Sequence, residues 1–396
     1  SGPADGGNQT RAVLSRPGTL TQVARRRYEA QPASSAGNGS LMRTGPVALA
    51  HPGAPAAVAT LARELSALTH ADPDCLDACV LWSVAIYHTI HHAPASDRQW
   101  DWAEPLRVAL DQLNPTHRSR WAALIDEATG AQPTDFPKNG WVVHAFQAAL
   151  AAISSTPVPE GDAAARHLQH ALEHAVRAGG DTDTVAAIAG SMLGARWGAT
   201  AIPFQWRRAL HGRRTYTEPT LSAADLDRYS RLAHRGGEPD QHGWPGRSSM
   251  VEHYLDEFPA PPRMVELGGV RFGNAAGLQL ALDDGVDAVV SLCRMGTSDV
   301  PDDVEHHVIG LLDTTSEENP NLVLVLTDTA DGIASLLERG RDVYVHCVAA
   351  ENRTPAGAAA WLYRHHGMGH VEALEQAATH LNDPKPFLRS AVERLC

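Results

Sequence analysis

The chain has 396 residues, of which 43% are hydrophobic and 20% are charged, and its formal net charge at pH 7 is −13. This length suits two domains better than one, and the composition is that of an ordinary globular protein with a substantial core. No basic block offsets the negative charge, which argues against a nucleic-acid partner, and no signal peptide, lipidation motif or long apolar run indicates a membrane partner.

Cysteine usage indicates the redox environment. The five cysteines are Cys75, Cys79, Cys293, Cys347 and Cys396. Their number is odd, they form no paired framework and one is a candidate nucleophile, so a reducing, cytoplasmic location is expected. The 21 histidines form no His/Cys tract with the spacing of a zinc site.

The first half of the chain is rich in alanine and poor in β-branched runs. Apolar residues at helical spacing predict helices over 12–30, 56–69, 74–91, 102–113, 117–129, 140–154, 163–178 and 185–197. The sequence therefore predicts an all-α bundle over residues 1–210.

A polar motif, Gly179–Thr184, interrupts this helical pattern. One interpretation is a helix cap, because glycine allows a tight turn and Asp and Thr are good N-cap residues. The other is a cluster of oxygen ligands for Mg²⁺, in which Asp181 and Asp183 face one cation and Thr184 adds its hydroxyl. The motif by itself favours neither interpretation.

Five motifs follow one another at long spacings in the first half of the chain: Gly7–Thr10, Ala36–Arg43, Ser66–His70, Gly140–Val142 and Gly179–Thr184. In this order they resemble the ADP-ribosylglycohydrolase family over about residues 5–210. The resemblance implies an orthogonal all-α bundle with a binuclear Mg²⁺ site. It also implies removal of ADP-ribose from a modified protein side chain or a small acceptor.

The same resemblance assigns two groups of site residues. The metal ligands would be Asp181, Asp183 and Thr184, and the ADP-ribose site would be lined by Gly37, Asn38, Gly39, Ser40 and His70. Glycines let backbone N–H groups approach a diphosphate closely, and a histidine can donate to an oxygen. Taken alone, His70 also suits a capping or core position, and Trp141 suits either stacking on adenine or burial in a bundle.

Two family motifs, Gly-Asp-Ala-x-Gly and Thr-Asp-Asp-Thr, supply the remaining metal ligands and do not occur in these 396 residues. We expect either that an N-terminal part precedes Ser1 or that the domain is degenerate. With part of a metal site, this chain is not expected to hydrolyse ADP-ribose unaided. The alternative to a hydrolase is a binding module that recognises ADP-ribosylated targets.

The hydrophobic period changes after a predicted linker over 211–262, which carries turn-forming residues and one helix at 223–233. Short strands are then predicted at 264–267, 270–272, 288–293, 308–311 and 343–345. They alternate with helices predicted at 275–283, 321–339, 354–365 and 371–381. This alternation predicts an α/β domain over residues 263–396, with a mainly parallel central sheet and a site beyond its strand ends.

Cys347 and Arg353 are separated by five residues between the last predicted strand and a helix. A loop in this position points backbone N–H groups inward, and its positive field favours the thiolate form of a cysteine at its start. Arg353 offers a planar fork for two phosphate oxygens. The alternative is a buried structural cysteine beside a surface arginine. With His346 and Thr354 flanking it, the loop resembles that of the dual-specificity and tyrosine protein phosphatases.

This second resemblance implies phosphate-monoester hydrolysis through a cysteinyl-phosphate intermediate, without a cofactor. Asp313 matches the place of the general acid that protonates the leaving oxygen. Glu317 and Glu318 are the alternatives for this role. Asp313 also suits a purely structural position in the turn that ends a strand. Thr354 is expected to donate to the cysteine sulfur, and His346 is expected to pack behind the loop.

The loop departs from the phosphatase pattern at two positions. Ala350 stands where a glycine is usual, and a positive φ there would cost roughly 1 kcal/mol. Glu351 on the rim would repel a dianionic phosphate or select a substrate with a positive group. The sequence as a whole predicts a bifunctional enzyme that removes modifications, with a Mg²⁺-dependent glycohydrolase half and a phosphatase half that acts on a phosphorylated substrate.

Overall fold

The computed structural model describes residues 7–50, 53–93, 100–213, 215 and 217–396. These residues form two compact units. The first contains the described residues up to Glu160 together with Ala164–Gly198, and the second contains Gly161–Ala163 and Ala199–Cys396. Within these ranges no helix combines the length and the apolar character needed to cross a bilayer.

The first unit is helical, as the sequence predicts. Its α-helices among the described residues, α1 to α10, span Asn8–Leu14, Leu20–Ala30, Val47–Ala50, Pro55–Ala67, Pro73–His92, Glu104–Ala109, Pro115–Thr129, Val142–Ser155, His167–Arg177 and Thr182–Trp197. Short 3-10 helices span Pro32–Ser34, Leu41–Arg43, Leu110–Gln112 and Pro133–Asp135, and another, Gly161–Arg166, precedes α9. The single helix predicted over 12–30 is instead two helices, because Pro17 and Gly18 lie between them, and Gly18 has a φ of 121°.

Helix α5 is a buried element of this unit. Its N-terminus is capped by Asp72, whose Oδ1 accepts from the backbone N of Asp74 at 2.9 Å. Cys75, Cys79 and Trp82 are fully buried along it. Cys75 and Cys79 are therefore core residues of this unit.

The second unit is an α/β fold. Its strands β1 to β5 span Met264–Leu267, Val270–Asn274, Ala288–Ser291, Glu305–Val308 and Val343–Cys347. Its helices α11 to α18 span Phe204–Ala209, Ala223–His234, Met250–Glu257, Leu278–Asp283, Leu322–Glu338, Arg353–His365, His370–His380 and Pro386–Glu393. Short 3-10 helices span Ala199–Ala201 and Ala275–Gly277.

The strands form one mixed sheet in the order β1-β2-β5-β3-β4. Strand β1 is antiparallel to β2, and the other three pairings are parallel, so the predicted mainly parallel sheet is confirmed. Successive side chains of β5 point to opposite faces. Val345 and Cys347 belong to an apolar cluster with α15–α18, whereas Tyr344 belongs to a cluster with α13 and α14. Helices therefore cover both faces of the central strand.

Strand β4 differs from the prediction, which places a strand at 308–311. The observed strand is Glu305–Val308, at the edge of the sheet. An edge strand tolerates polar residues such as His306 and His307, whereas the apolar residues that carry the prediction, Ile309 and Leu311, are buried outside the strand.

The boundary between the units also differs from the predicted domain limit at residue 210, because the units divide after Gly198. Phe204 packs on α15, where a side chain at Gly332 would lie 2.5 Å from its ring. The predicted linker over 211–262 contributes Trp244 and helix α13 to the apolar cluster on one face of the sheet. It is therefore part of the second unit, and its residues 214 and 216 lie outside the described residues.

Candidate functional site

The motifs of the first unit that are far apart in sequence meet at the segment Ala36–Ser40, which we call the glycine loop. The backbone N of Val142 donates to Ala36 O (2.9 Å), and the backbone N of Asn38 donates to Gly140 O (3.2 Å). Gln9 binds the same region, because its Oε1 accepts from the backbone N of Gly37 at 3.4 Å. Three of the five family motifs are thereby in direct contact.

His70 packs against the glycine loop. A side chain at Gly39 would lie only 3.3 Å from His70 Cε1, so the absence of a side chain there allows this close approach. Burial, followed by the positive charges of Arg43 and Arg27, lowers the pKa of His70 to about 4, so the ring is neutral at pH 7. His70 is thus both a buried residue and a residue beside the loop.

Thr69 joins His70 to Arg43. Thr69 Oγ1 accepts from Arg43 and is 2.7 Å from His70 Nδ1. The other ring nitrogen, Nε2, is the one nearest to the glycine loop, 3.4 Å from the position of a side chain at Gly39.

A bracket of two asparagines holds Asp181 beside the glycine loop. Asn38 Nδ2 donates to Asp181 Oδ2 at 2.6 Å, and Asn139 Oδ1 accepts from the backbone N of Asp181 at 2.9 Å. Gly180 has a φ of 76°, and a side chain there would lie 2.4 Å from Asn139 Oδ1. Asp181 occupies the N-cap position of α10, but its carboxylate makes no capping hydrogen bond. The helix-cap interpretation therefore does not describe what this side chain does.

The other predicted metal ligands lie in the next turn. Asp183 is exposed, and Thr184 is buried with its Oγ1 3.6 Å from Met42 Sδ. Oxygen donors of this kind fit a hard cation such as Mg²⁺, which binds through one or two carboxylates and retains waters. One turn of helix supplies too few carboxylates for two ions. Asp181 and Asp183 therefore fit the role of supplying part of the ligand set of a binuclear site.

Ser40 does not line an open site as predicted. Its side chain is fully buried, and its Oγ accepts from Ser66 Oγ at 3.0 Å. The hydroxyl therefore supports the glycine loop from behind. Among the described residues, the backbone N–H group of half-buried Gly39 has no protein acceptor, so it is available to a ligand.

In the second unit, strand β5 ends at Cys347 and helix α16 begins at Arg353. We call residues 348–352 between them the cysteine loop. In the described chain, the backbone N–H groups of residues 349–353 have no protein acceptor. A run of unpaired N–H groups at a helix N-terminus is an anion-binding geometry. Ala350 has a φ of 57°, so the strain predicted for this alanine is present.

Arg353 is buried, with 9% of its surface exposed. Its Nη1 donates to Leu292 O (2.9 Å) and Leu311 O (3.2 Å). Burial lowers the pKa of the guanidinium, but attraction to Cys347 and to neighbouring groups outweighs burial, so the pKa is raised above its ordinary value. The alternative of a surface arginine is therefore wrong, and the loop contains a fixed positive charge.

Asp313 is the predicted acid that lies at this loop. Its Oδ2 accepts from Asn352 Nδ2 at 3.2 Å and is 3.9 Å from Arg353 Nε. Its Oδ1 is 2.9 Å from Lys385 Nζ. Both alternatives, Glu317 and Glu318, are exposed. Asn352 and Lys385 are site residues that the sequence analysis missed, and a lysine 38 positions after the cysteine offers no local signal.

His346 lies behind the loop and is fully buried. Its Nε2 is 2.8 Å from Ser291 Oγ, and the same hydroxyl is 2.9 Å from His306 Nε2. Burial lowers the pKa of His346 to about 4 and the pKa of His306 to about 3. One hydroxyl thus bridges two neutral imidazoles beneath the end of β5. Neither Ser291 nor His306 was found from the sequence.

Thr354 differs from its predicted contact. Its Oγ1 donates to Gly273 O at 3.1 Å, on the neighbouring strand β2, rather than to the sulfur of Cys347. Thr354 makes this contact because it lies in the first turn of α16, next to the end of β2. In this structure the residue joins the helix to the sheet.

The ADP-ribosylglycohydrolase family model matches residues 1–239, more than half of the chain. Human ADP-ribosylhydrolase ARH3 is 27% identical over 215 residues, which cover 49% of this chain and 58% of that protein. ADP-ribosylhydrolase ARH3 of Xenopus tropicalis is 26% identical and covers 45% of this chain and 57% of that protein. The chain therefore spans just over half the length of the curated relatives it matches.

Two solved structures resemble parts of the chain. An ADP-ribosylglycohydrolase-related protein complex has a TM-score of 0.41 and is 26% identical, covering 58% of this chain and 72% of its own. Human DUSP28 has a TM-score of 0.30 and is 20% identical, covering 34% of this chain and 94% of its own.

Proposed function

The chain belongs to the ADP-ribosylglycohydrolase family, and from this premise we propose that its first unit binds ADP-ribose together with Mg²⁺ as part of a hydrolase that removes ADP-ribose from an acceptor. The observation that carries the proposal is the 2.6 Å hydrogen bond between Asn38 and Asp181. It joins the loop that would bind the ligand to the carboxylate that would bind the metal. The acceptor is proposed to be an ADP-ribosylated protein or small molecule.

Each group of the first unit has a part in this proposal. The free backbone N–H group of Gly39 would donate to the diphosphate, and neutral His70, with its proton on Nε2, would donate to a ligand oxygen. Asp181 and Asp183 would hold the cation. Bound Mg²⁺ supplies positive charge that stabilises the negative charge developing in the reaction. Asn38 and Asn139 orient Asp181 before the ligand arrives.

Titration calorimetry with ADP-ribose, in Mg²⁺ and again in EDTA, tests this function. We expect binding that depends on Mg²⁺, and the paired change Asp181→Ala with Asp183→Ala should weaken it at least about tenfold, since groups around a metal site contribute 10–100-fold each. The control pair is Asp111→Ala with Asp126→Ala, two exposed carboxylates that form surface ion pairs.

Equal affinity of the Asp181/Asp183 variant and the wild type would contradict the metal assignment. A separate assay for the release of free ADP-ribose from a modified substrate distinguishes a hydrolase from a binding module. Release supports the hydrolase, whereas binding of ADP-ribose without release supports the alternative of a binding module.

A second candidate function concerns the second unit, and the observation that favours it is the cysteine loop. Cys347 Sγ would attack the phosphorus of a phosphate monoester, and the ester oxygen would leave with a proton from Asp313. The three remaining oxygens would be held by the free N–H groups of the loop and by Arg353. Water, deprotonated by Asp313, would then release phosphate and restore the thiolate.

The role of Asp313 is tested by the leaving group. An alkoxide needs a proton to leave, whereas para-nitrophenolate leaves without much assistance. Asp313→Ala should therefore lower turnover of an alkyl phosphate by about 10²–10⁴-fold and turnover of para-nitrophenyl phosphate much less. Glu317→Ala, at an exposed carboxylate of the same segment, is the control. Equal losses for both substrates would assign Asp313 a structural role only.

Location follows from the same chemistry. All five cysteines are free, and the proposed nucleophile needs a reduced thiol. We therefore propose a reducing, cytoplasmic setting for the protein.

A further inference from the structure

Two histidines and a glutamate of the second unit converge, and none of them takes part in the sites described above. The nitrogen or oxygen atoms that His242, His253 and Glu257 offer as ligands all lie within 4.8 Å of one another. His253 and Glu257 are four residues apart on α13 and thus share one face of the helix. His242 reaches them from the turn that precedes the helix.

The separations are close to those of a metal site. His253 Nε2 is 3.5 Å from Glu257 Oε2, and His242 Nδ1 is 3.9 Å from Glu257 Oε1. In a tetrahedral zinc site with bonds near 2.0–2.1 Å, ligand atoms lie about 3.3 Å apart. Shifts of the ligand atoms by roughly an ångström or less would therefore bring all three within bonding distance of one ion.

The turn that carries His242 is held by hydrogen bonds to Asp240 and by contacts with the core of the unit. Asp240 Oδ1 accepts from the backbone N of His242 (2.9 Å) and from the backbone N of Trp244 (3.0 Å), while its Oδ2 is 2.7 Å from Arg294 Nη1. The Trp244 indole also donates to Met295 O at 3.3 Å. The position of His242 is thus determined by the core of the unit before any ion binds.

Helix α13 is anchored at its N-terminus. Ser249 Oγ donates to Asp299 Oδ1 at 2.6 Å and also caps the helix through the backbone N of Glu252. The helix can therefore present His253, which is 8% exposed, and the exposed Glu257 at a constant angle. An ion from solvent has access through the exposed carboxylate.

The donor set selects the kind of ion. Two imidazoles and one carboxylate are typical of zinc and leave a fourth position for water, whereas Mg²⁺ prefers an octahedron of oxygens. We propose that His242, His253 and Glu257 bind one zinc ion, which joins the turn at 240–244 to helix α13.

The test uses the full chain, purified without a polyhistidine tag, stripped with EDTA and dialysed against zinc with excess Mg²⁺. Elemental analysis should find one zinc per chain at this site. Since even outer groups of a metal site contribute 10–100-fold to affinity, His253→Ala and Glu257→Gln should each weaken zinc binding by at least about 100-fold. Cobalt(II) in place of zinc should give visible bands of a tetrahedral site, and Glu257→Gln should abolish them.

Three control variants test whether zinc binds at another place in the chain. His234→Ala, at an exposed histidine near the end of α12, should keep the zinc. The Asp181/Asp183 variant and Cys347→Ser should keep it as well. Zinc binding that is equal in wild type, His253→Ala and Glu257→Gln would overturn the proposal, and so would zinc that disappears only when Cys347 is changed. The three side chains would then form His–Glu ion pairs only.

Discussion

Cys347→Ser is expected to lower turnover of para-nitrophenyl phosphate by at least about 10⁴-fold, the scale of losses when an enzyme loses its nucleophile. A serine hydroxyl is a much weaker nucleophile than a cysteine thiolate, because it stays un-ionised at neutral pH. The measurement is the release of para-nitrophenolate by the purified full chain over pH 5–7.

The same substitution should leave the anion site intact, which distinguishes a lost nucleophile from a collapsed loop. The N–H groups of residues 349–353 and the Nη1 anchors of Arg353 do not involve the sulfur. Calorimetric binding of inorganic phosphate or tungstate should therefore persist in Cys347→Ser, and Cys396→Ser, at an exposed thiol, should keep full turnover. Turnover of Cys347→Ser near the wild-type value would show that the loop is not the catalytic site.

Cys293 illustrates why the nucleophile can be chosen among five cysteines. It is also buried at the end of a parallel strand, but no arginine follows it at the spacing of an anion-binding loop. Burial raises the pKa of its thiol to about 12, so it is not ionised at neutral pH. The spacing in the sequence therefore contains the information that distinguishes Cys347.

Contiguous patterns account for what could be predicted. Helical spacing, glycine pairs and the Cys347–Arg353 interval are local, and the structure places them on the predicted kinds of element. The same holds for the glycine loop and Asp181, which a family resemblance brings together even though Asn38 and Asp181 are 143 residues apart.

Site residues without such a pattern were missed. Asn139 fixes Asp181 from a loop, and Lys385 reaches Asp313 from 72 positions away. Each is a single polar residue whose partner is set only by tertiary packing. The group of His242, His253 and Glu257 was missed for the same reason, because the turn that joins it is held by Arg294, far along the chain.

Acid is expected to destabilise the second unit through His346, which forms part of the floor of the cysteine loop. Its pKa is about 4 in the folded protein, against an ordinary value near 6.5. As the pH falls below 6.5, the unfolded chain binds a proton that the folded chain does not, so the free energy of unfolding decreases until the pH reaches about 4. This one residue should remove about 2 kcal/mol between pH 7 and pH 5.

Urea unfolding at pH 7 and pH 5, followed by hydrogen exchange of the β5 amides, measures this loss where it arises. Other buried histidines and the carboxylates also titrate in acid, so the comparison that isolates the residue is His346→Gln, which keeps a polar group near Ser291 Oγ but does not titrate. The variant should lose about 2 kcal/mol less than the wild type over the same range. His380→Gln, at an exposed histidine, should behave as the wild type. If His346→Gln and the wild type lose stability in parallel, His346 is not the group that takes up the proton on unfolding, and the neutral pair of imidazoles at Ser291 cannot be what maintains the loop at neutral pH.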